Sequence, residues 1–468
     1  MTIPCVACFN AMALVINSLL ENKDEKCLEH YMSISSVGNS NLNSRLAKEF
    51  PELYSSDLKV HALCGENGNL LSKKIIKFIK ECKENKRYSS LIKLLSQLDL
   101  KLSEHLAIIK ACIIDSEILG INNNIEETGI QLLPRCECFW AHVNREKTAS
   151  VNLNNFLKYF YFIEVAKISP YNVRHHFLYS TAFQRARKKK YLTIGVAPFC
   201  NWAKLAPKKI NSSGKNLLRM DAIENVPELA DNAGKLFSKA RDMEVDILCF
   251  PEMLGHNDIV DALTNKLPEI LDSETTCNPV LTVCPTIWEN RSNRADVLME
   301  NGKILCSQYK HRAFLASIDG EEFLEDLSEN KNIELIHCDG IGRIAVVICI
   351  DALTMPYLQM LWNTLKVTLL IVPAFSTGYY DFLETFESSR AYDCCVAWVN
   401  SCSVATVFDI SQEKLETIGA VFKNGRKSSI RNGAYYFRQC QSNRNGEGME
   451  QCENCLFTQR INFSRDVS

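Results

Sequence analysis

Three side chains of complementary reactivity stand just beyond three apolar runs of the sequence. Glu252 follows the run 246–250, Lys310 follows 304–309, and Cys349 closes the run that begins at Arg343. A thiol with an ordinary pKa of about 8.5 is mostly protonated at neutral pH and needs a base beside it to become a nucleophile. Glu252 can be that base. The Lys310 ammonium can hold the oxyanion of a tetrahedral intermediate, with the backbone N–H of Ile350 as a second donor. Together these groups describe acyl transfer through a thioester. The glutamic acid protonates the leaving amine, and water then attacks the acyl enzyme.

Such a trio must be delivered by strands that share a direction, because reactive groups in α/β proteins gather at one edge of a sheet. From Tyr191 onward the period-2 and short apolar patterns predict strands at 192–198, 245–250, 280–288, 343–350 and 367–373, alternating with helical segments. Asn301-Gly302 and Asp339-Gly340 read as hairpin turns, and Asn424-Gly425 as a third.

Before that point apolar residues recur at intervals of three and four, as in Leu91, Leu94, Leu95, Leu98, Leu102, Leu106 and Ile109, with Ser103 a possible cap and Gly120 a stop. The stretch 73–87 has the same habit, with a basic outer face. The basic run Arg185, Arg187, Lys188, Lys189 and Lys190 marks where the periodicity changes. The expected fold class is α/β for 191–440, preceded by a separate all-helical domain over 1–190 and followed by a tail over 441–468.

The chain has 468 residues, 46% of them hydrophobic and 23% charged, which excludes a disordered or collagen-like polymer. With 53 basic and 55 acidic residues the net charge of -2 provides no global field for nucleic acid or an anionic membrane. The 21 cysteines are odd in number and many sit in apolar runs, so a reducing, cytoplasmic setting is expected rather than a disulfide scaffold. Residues 1–20 carry no charge but lack a basic lead-in, and they read as a buried helix rather than a membrane anchor.

Phe250-Pro251-Glu252-Met253, Tyr309-Lys310 and Cys349-Ile350-Asp351 resemble, in that order, the motifs of the nitrilase superfamily of carbon–nitrogen hydrolases. Leu370-Ile371-Val372-Pro373-Ala374, Arg390-Ala391-Tyr392 and Val399-Asn400 look similar as well. The resemblance spans roughly 191–440 and implies an αββα sandwich, a small-molecule amide substrate, no metal or organic cofactor, and a homo-oligomer. It also implies a second glutamate between lysine and cysteine, for which Glu321 is chosen over its neighbour Glu322. The segment from His311 to Leu315 departs from the family's pattern. Cys-Ile-Asp favours amides over nitriles, and Phe375, Tyr379 and Tyr380 are candidate substrate contacts beside Ile350.

Other readings have their own residues. Cys5 with Cys8, Cys136 with Cys138 and His142, and Cys440 with Cys452 and Cys455 could suggest zinc, but none has two ligand pairs at a recognised spacing, and no metal is expected. His175 and His176 read as surface or packing residues. The basic run and the stretch 73–87 could meet nucleic acid, although solvated surface is the simpler reading. A catalytically silent sensing or interaction module is a further alternative.

Overall fold

A computed structural model describes residues 3, 5–22, 24–55, 63–114, 116–140, 152–179, 181–212, 214–220, 223–266, 278–318, 320–408, 415–423, 434–436, 452–453 and 455–463. The chain divides into two compact units. The first is Met1–Cys136, His142–Ser169 and Arg174–Tyr179, and the second is Glu137–Ala141, Pro170–Val173 and Ser180–Ser468.

The first unit is built on helices. Val6–Leu20 buries Phe9, Met12, Ile16 and Leu19, so the uncharged start of the sequence is a core helix. Gly65–Glu84 buries Leu71, Ile75, Phe78, Ile79 and Cys82, an i, i+4, i+7 stripe that leaves its lysines outward. Helix Tyr88–Ser103 ends where a cap was expected to begin one, and Leu106–Ile113 resumes after a short break.

This unit is not all-helical. Strand β1 (Glu117–Ile118) pairs antiparallel with β4 (Asn172–Phe177), and β2 (Ile130–Pro134) with β3 (Phe160–Glu164). The last two are continuous buried apolar runs too short for a helix, and periodicity alone does not separate such runs from helical core. Asp99 ties helix to hairpin: its carboxylate accepts the N–H groups of Lys158 at 2.8 Å and Phe160 at 3.0 Å. His175 and His176 lie buried in β4, as packing residues.

The second unit holds two large sheets. One runs β10 (Ile287–Glu289), β11 (Ser292–Met299), β9 (Leu281–Val283), β8 (Ile247–Cys249), β5 (Tyr191–Val196) and β21 (Phe457–Asn462), with β12 (Ile304–Tyr309) also on β11. The other runs β15 (Asn332–Cys338), β16 (Gly342–Val346), β17 (Leu369–Ala374), β18 (Cys395–Asn400), β19 (Thr417–Phe422) and β20 (Ala434–Tyr436). The central pairs β5–β8, β8–β9, β16–β17 and β17–β18 are parallel.

Helix Val226–Asp242 packs Leu229, Leu236 and Phe237 with Leu248 and Phe250 on the outer side of the first sheet. Helix Tyr380–Glu387 stacks Phe382 on Trp398 of the second. The sheets meet between these layers, so the order is helix, sheet, sheet, helix. Gly419 of β19 faces Val196 of β5 across this contact, and a Cβ added there would lie a tight 3.1 Å from its Cγ2. The Asn301-Gly302 turn joins β11 to β12 with Gly302 at φ 83°. The stretch predicted as one strand at 280–288 is two, β9 and β10, interrupted at Pro285.

A smaller sheet, β13 (Leu315–Ile318), β14 (Glu321–Glu325), β7 (Lys215–Arg219) and β6 (Lys208–Ser212), has no counterpart in the predicted strands. The supposed tail over 441–468 is also corrected, because β21 pairs with β5 along its length, from Tyr191 opposite Asn462 to Val196 opposite Phe457. The Asn424-Gly425 turn, His142 and Cys440 lie outside the described residues. Among the described residues no cluster of three or more His, Cys, Asp or Glu is placed to hold a metal ion, and no helix is long and apolar enough to cross a membrane.

The basic run forms helix Gln184–Lys189 within the second unit rather than a linker. Arg185 donates to the Asp246 carboxylate at 2.9 Å, Arg187 donates to the Asp339 carbonyl at 2.6 Å, and Lys189 pairs with Glu244. Asp246 is buried, and its other oxygen accepts the Thr193 N–H at 2.8 Å. Arg185→Ala leaves that carboxylate without its cation and is expected to cost about 3 kcal/mol. Urea denaturation read at neutral pH checks this, and a loss below about 1 kcal/mol would show the pair to be unimportant.

Candidate active site

Glu252, Lys310 and Cys349 all sit where strands of the second unit end. β8 and β9 are parallel, β11 reverses direction and β12 reverses again, so Lys310 emerges at the same sheet edge as Glu252. Cys349 follows β16 of the facing sheet and opens a 3-10 turn over Cys349–Leu353. Three non-glycine residues at this edge have positive φ: Phe199 at 75°, Met253 at 72° and Cys349 at 50°. Strain of this kind persists only where surrounding contacts enforce it. At Met253 the enforcing contacts include its N–H on Thr286 Oγ1 at 2.9 Å, beside the Glu252 N–H on the Ala374 carbonyl at 3.3 Å.

The Lys310 ammonium lies between two carboxylates, 2.8 Å from Glu252 Oε1 and 2.8 Å from Glu325 Oε2. All three groups are sealed from solvent. Burial alone would push the ammonium's pKa down, but the charges of Glu252 and Glu325 hold it above the ordinary lysine range. Burial raises the Glu325 carboxyl, against the attraction of Lys310. Asn293 Nδ2 donates to Glu252 Oε1 at 2.8 Å, and its backbone carbonyl accepts the backbone N–H of Lys310 at 2.8 Å, so one buried residue orients both partners. Glu325 Oε2 also accepts the Phe314 N–H at 3.2 Å.

The Cys349 thiol is within hydrogen-bonding reach of the Glu252 carboxylate and takes the Phe375 N–H. Burial, and then the negative charge of Glu252, push its pKa well above the ordinary thiol value, while Lys310 pulls it back only in part. One cation already faces two carboxylates, so a resting thiolate would be a third anion in one pocket. The thiol is therefore protonated at rest, with a base in contact to take its proton.

The expected second glutamate is corrected. Glu321 and Glu322 are exposed at the start of β14, and the carboxylate that reaches Lys310 is Glu325, at the buried end of the same strand. Of the expected substrate contacts, Ile350 and Phe375 line an open cavity of about 930 Å³ onto which Cys349 opens, together with Phe314, Leu315, Phe382 and Phe408. Tyr379 is not part of its wall; its hydroxyl donates to the Glu416 carboxylate. Tyr380 is exposed on the helix that follows.

Asp351, two residues past the thiol, accepts the His311 N–H at 2.8 Å and so fixes the backbone that follows Lys310. Burial pushes its carboxyl up to about 7, against the N–H groups of His311 and Arg312. Because this folded value lies above the unfolded one, the stability it confers is complete below about pH 4 and is lost as pH rises through 7. Asp351→Asn should remove that slope. Relative to the wild type, the variant is expected to gain on the order of a few kcal/mol between pH 5 and 8. Parallel denaturation curves for the two proteins over that range would contradict the assignment.

No family model matches the sequence, and no curated protein does either. Among solved structures, Nit3 of Saccharomyces cerevisiae, a member of branch 10 of the nitrilase superfamily, is 14% identical over 58% of this chain and 90% of its own, with a TM-score of 0.35. An amidase from Nesterenkonia, of the nitrilase superfamily, is 11% identical over 59% of this chain and 92% of its own, with a TM-score of 0.36. The NitFhit protein of C. elegans is 14% identical over 59% of this chain and 61% of its own, with a TM-score of 0.33. Similarity this low adds no weight to the placement of the side chains themselves.

Proposed function

We propose that the second unit is a thiol-dependent hydrolase of carbon–nitrogen bonds in small amides, acting through Cys349, Glu252 and Lys310 with Glu325 in support. The observation that carries this reading is the buried Lys310 ammonium held at 2.8 Å by each of two glutamates, one of which also touches a cysteine that opens onto a cavity. A purely structural ion pair does not require a thiol at its edge, a positive φ at that thiol, or an open volume beyond it.

The Cys349 proton passes to Glu252 as sulfur bonds to the amide carbon, and the carbonyl π electrons move to oxygen. Two of the three Lys310 N–H donors are taken by carboxylates, which leaves one for that oxyanion. Collapse breaks the C–N bond, and Glu252 returns the proton to the departing amine. Water then gives a proton to Glu252 and its oxygen to the thioester carbon, and collapse releases the carboxylic acid with the proton returned to sulfur. The net reaction is amide plus water to acid plus amine, with no redox change. Glu325 keeps Lys310 in place and tempers its charge.

Incubation with a panel of primary amides, read by ammonia release and by intact mass, tests the reading. A Cys349-dependent acyl adduct and turnover are expected. A silent panel, with small molecules bound but unchanged, would favour a sensing module instead.

A further inference from the structure

We infer, building on the hydrolase reading, that the acyl group taken by this site is bulky and apolar, such as an arylalkyl or medium-chain alkyl amide. The cavity is large for its chemistry: about 930 Å³ is near the top of the range for small-molecule pockets, and an acetamide would occupy only a corner of it. Its wall is built mainly from Phe314, Phe375, Phe382 and Phe408 with aliphatic Leu315 and Val407. Leu315 belongs to the small sheet and Phe314 to the loop before it, Phe375 follows β17, Phe382 lies on helix Tyr380–Glu387, and Val407 and Phe408 close the short helix after β18.

A polar acyl group would need partners of its own, because leaving its groups dry costs more than a pocket of this kind returns. The wall offers the hydroxyls of Ser317, Ser376 and Thr377 but little that would pair a charge. Among the described residues lining it, no carboxylate, guanidinium or side-chain amide occurs, and Lys209 is the one charged side chain. Lys209 is exposed and sits over the Phe323 ring, 5.1 Å from its centroid. The Ser376 hydroxyl is engaged with the Gly378 carbonyl at 3.0 Å. Burial of apolar surface is thus the main binding interaction on offer, and each methylene covered is worth roughly fourfold.

The test compares kcat/KM for acetamide, hexanamide, 3-phenylpropanamide, succinamate and 6-aminohexanamide, by ammonia release, in wild type and Leu315→Asp. Leu315 is 59% exposed on β13, at the edge of the small sheet, so the substitution is tolerated by the fold while placing a carboxylate in the wall. In the wild type, hexanamide and 3-phenylpropanamide should exceed acetamide by on the order of a hundredfold. In Leu315→Asp the ratio of 3-phenylpropanamide to 6-aminohexanamide should fall by about tenfold or more, as hydrophobic contact is lost and an ammonium gains a partner. If acetamide or succinamate is fastest with Cys349-dependent turnover, or the ratio does not move, the apolar-acyl inference is overturned and the hydrolase stands. If no amide turns over in a Cys349-dependent way, both readings are overturned together.

Discussion

Cys349→Ala is expected to abolish amide turnover, by on the order of 10⁴-fold or more, and to eliminate the acyl adduct seen by intact mass. No neighbouring group can replace the sulfur. Glu252, the carboxylate in contact with the thiol, pairs with Lys310 and serves as the base, and Glu325 holds the far side of the same ammonium. The fold should persist, since one small atom is lost and the residue keeps its φ of 50°.

Cys349→Gly sharpens the test. It removes the same sulfur but relieves the positive-φ penalty, so it should be at least as stable as Cys349→Ala, by up to about 1 kcal/mol, and equally inactive. The pair of variants separates strain held for function from strain held for stability, and a thermal melt beside an ammonia assay reads both. Residual activity within about tenfold of wild type in either variant would remove the thiol from the mechanism.

The residues that could be found in the sequence were those that mark strand ends. Glu252, Lys310 and Cys349 each follow a recognisable apolar run, and a strand's end fixes the place of the residue beyond it whatever the remaining topology. Glu325 could not be found this way. In β14 the alternation places 321, 323 and 325 on one face, but Glu321 pairs with Ile318 at the mouth of the hairpin, in solvent, whereas Glu325 lies at the far end beside the Phe314 backbone. Only the pairing shows which end is buried. The sole local hint was Phe323 followed two residues later by Glu325.

Asn293 carries no signature either, being one of four polar residues, with Ser292, Arg294 and Asp296, in the N-terminal part of β11. The small sheet was hidden by composition: Lys208, Lys209, Asn211, Lys215 and Asn216 give β6 and β7 no apolar alternation, and their strand character comes from mutual pairing. β21 is an edge strand with one fully buried side chain, Ile461, so its sequence looks like a polar tail. In the first unit the long helices were visible because 3.6-residue periodicity accumulates over many turns, while five-residue strands such as β2 and β3 offer too few positions to show a period.

Lys310→Met should have the second large effect, on stability as well as on rate. The substitution roughly preserves side-chain length but leaves Glu252 and Glu325 facing each other in a dry site with no ammonium between them. Turnover should fall by about two orders of magnitude or more, since the oxyanion loses its donor. At pH 8 the fold should lose about 3 to 5 kcal/mol, the usual cost of an uncompensated buried charge.

The pH dependence gives the sign. Two carboxylates left facing each other in a dry site repel when both are charged, so the variant's deficit is smallest at low pH, where that charge is absent, and grows as pH rises. In the wild type the raised Lys310 pKa contributes stability that is lost only above the ordinary lysine range, so that group adds no slope between pH 5 and 8. The gap between variant and wild type in urea should therefore widen from pH 5 to pH 8. Adding Glu325→Gln, which removes one of the two charges and can still accept the Phe314 N–H, should recover a large part of the stability at pH 8 but none of the turnover. An equal deficit at both pH values would mean that Lys310 holds the fold by packing rather than by charge. The oxyanion role given to its ammonium would then lose its electrostatic basis.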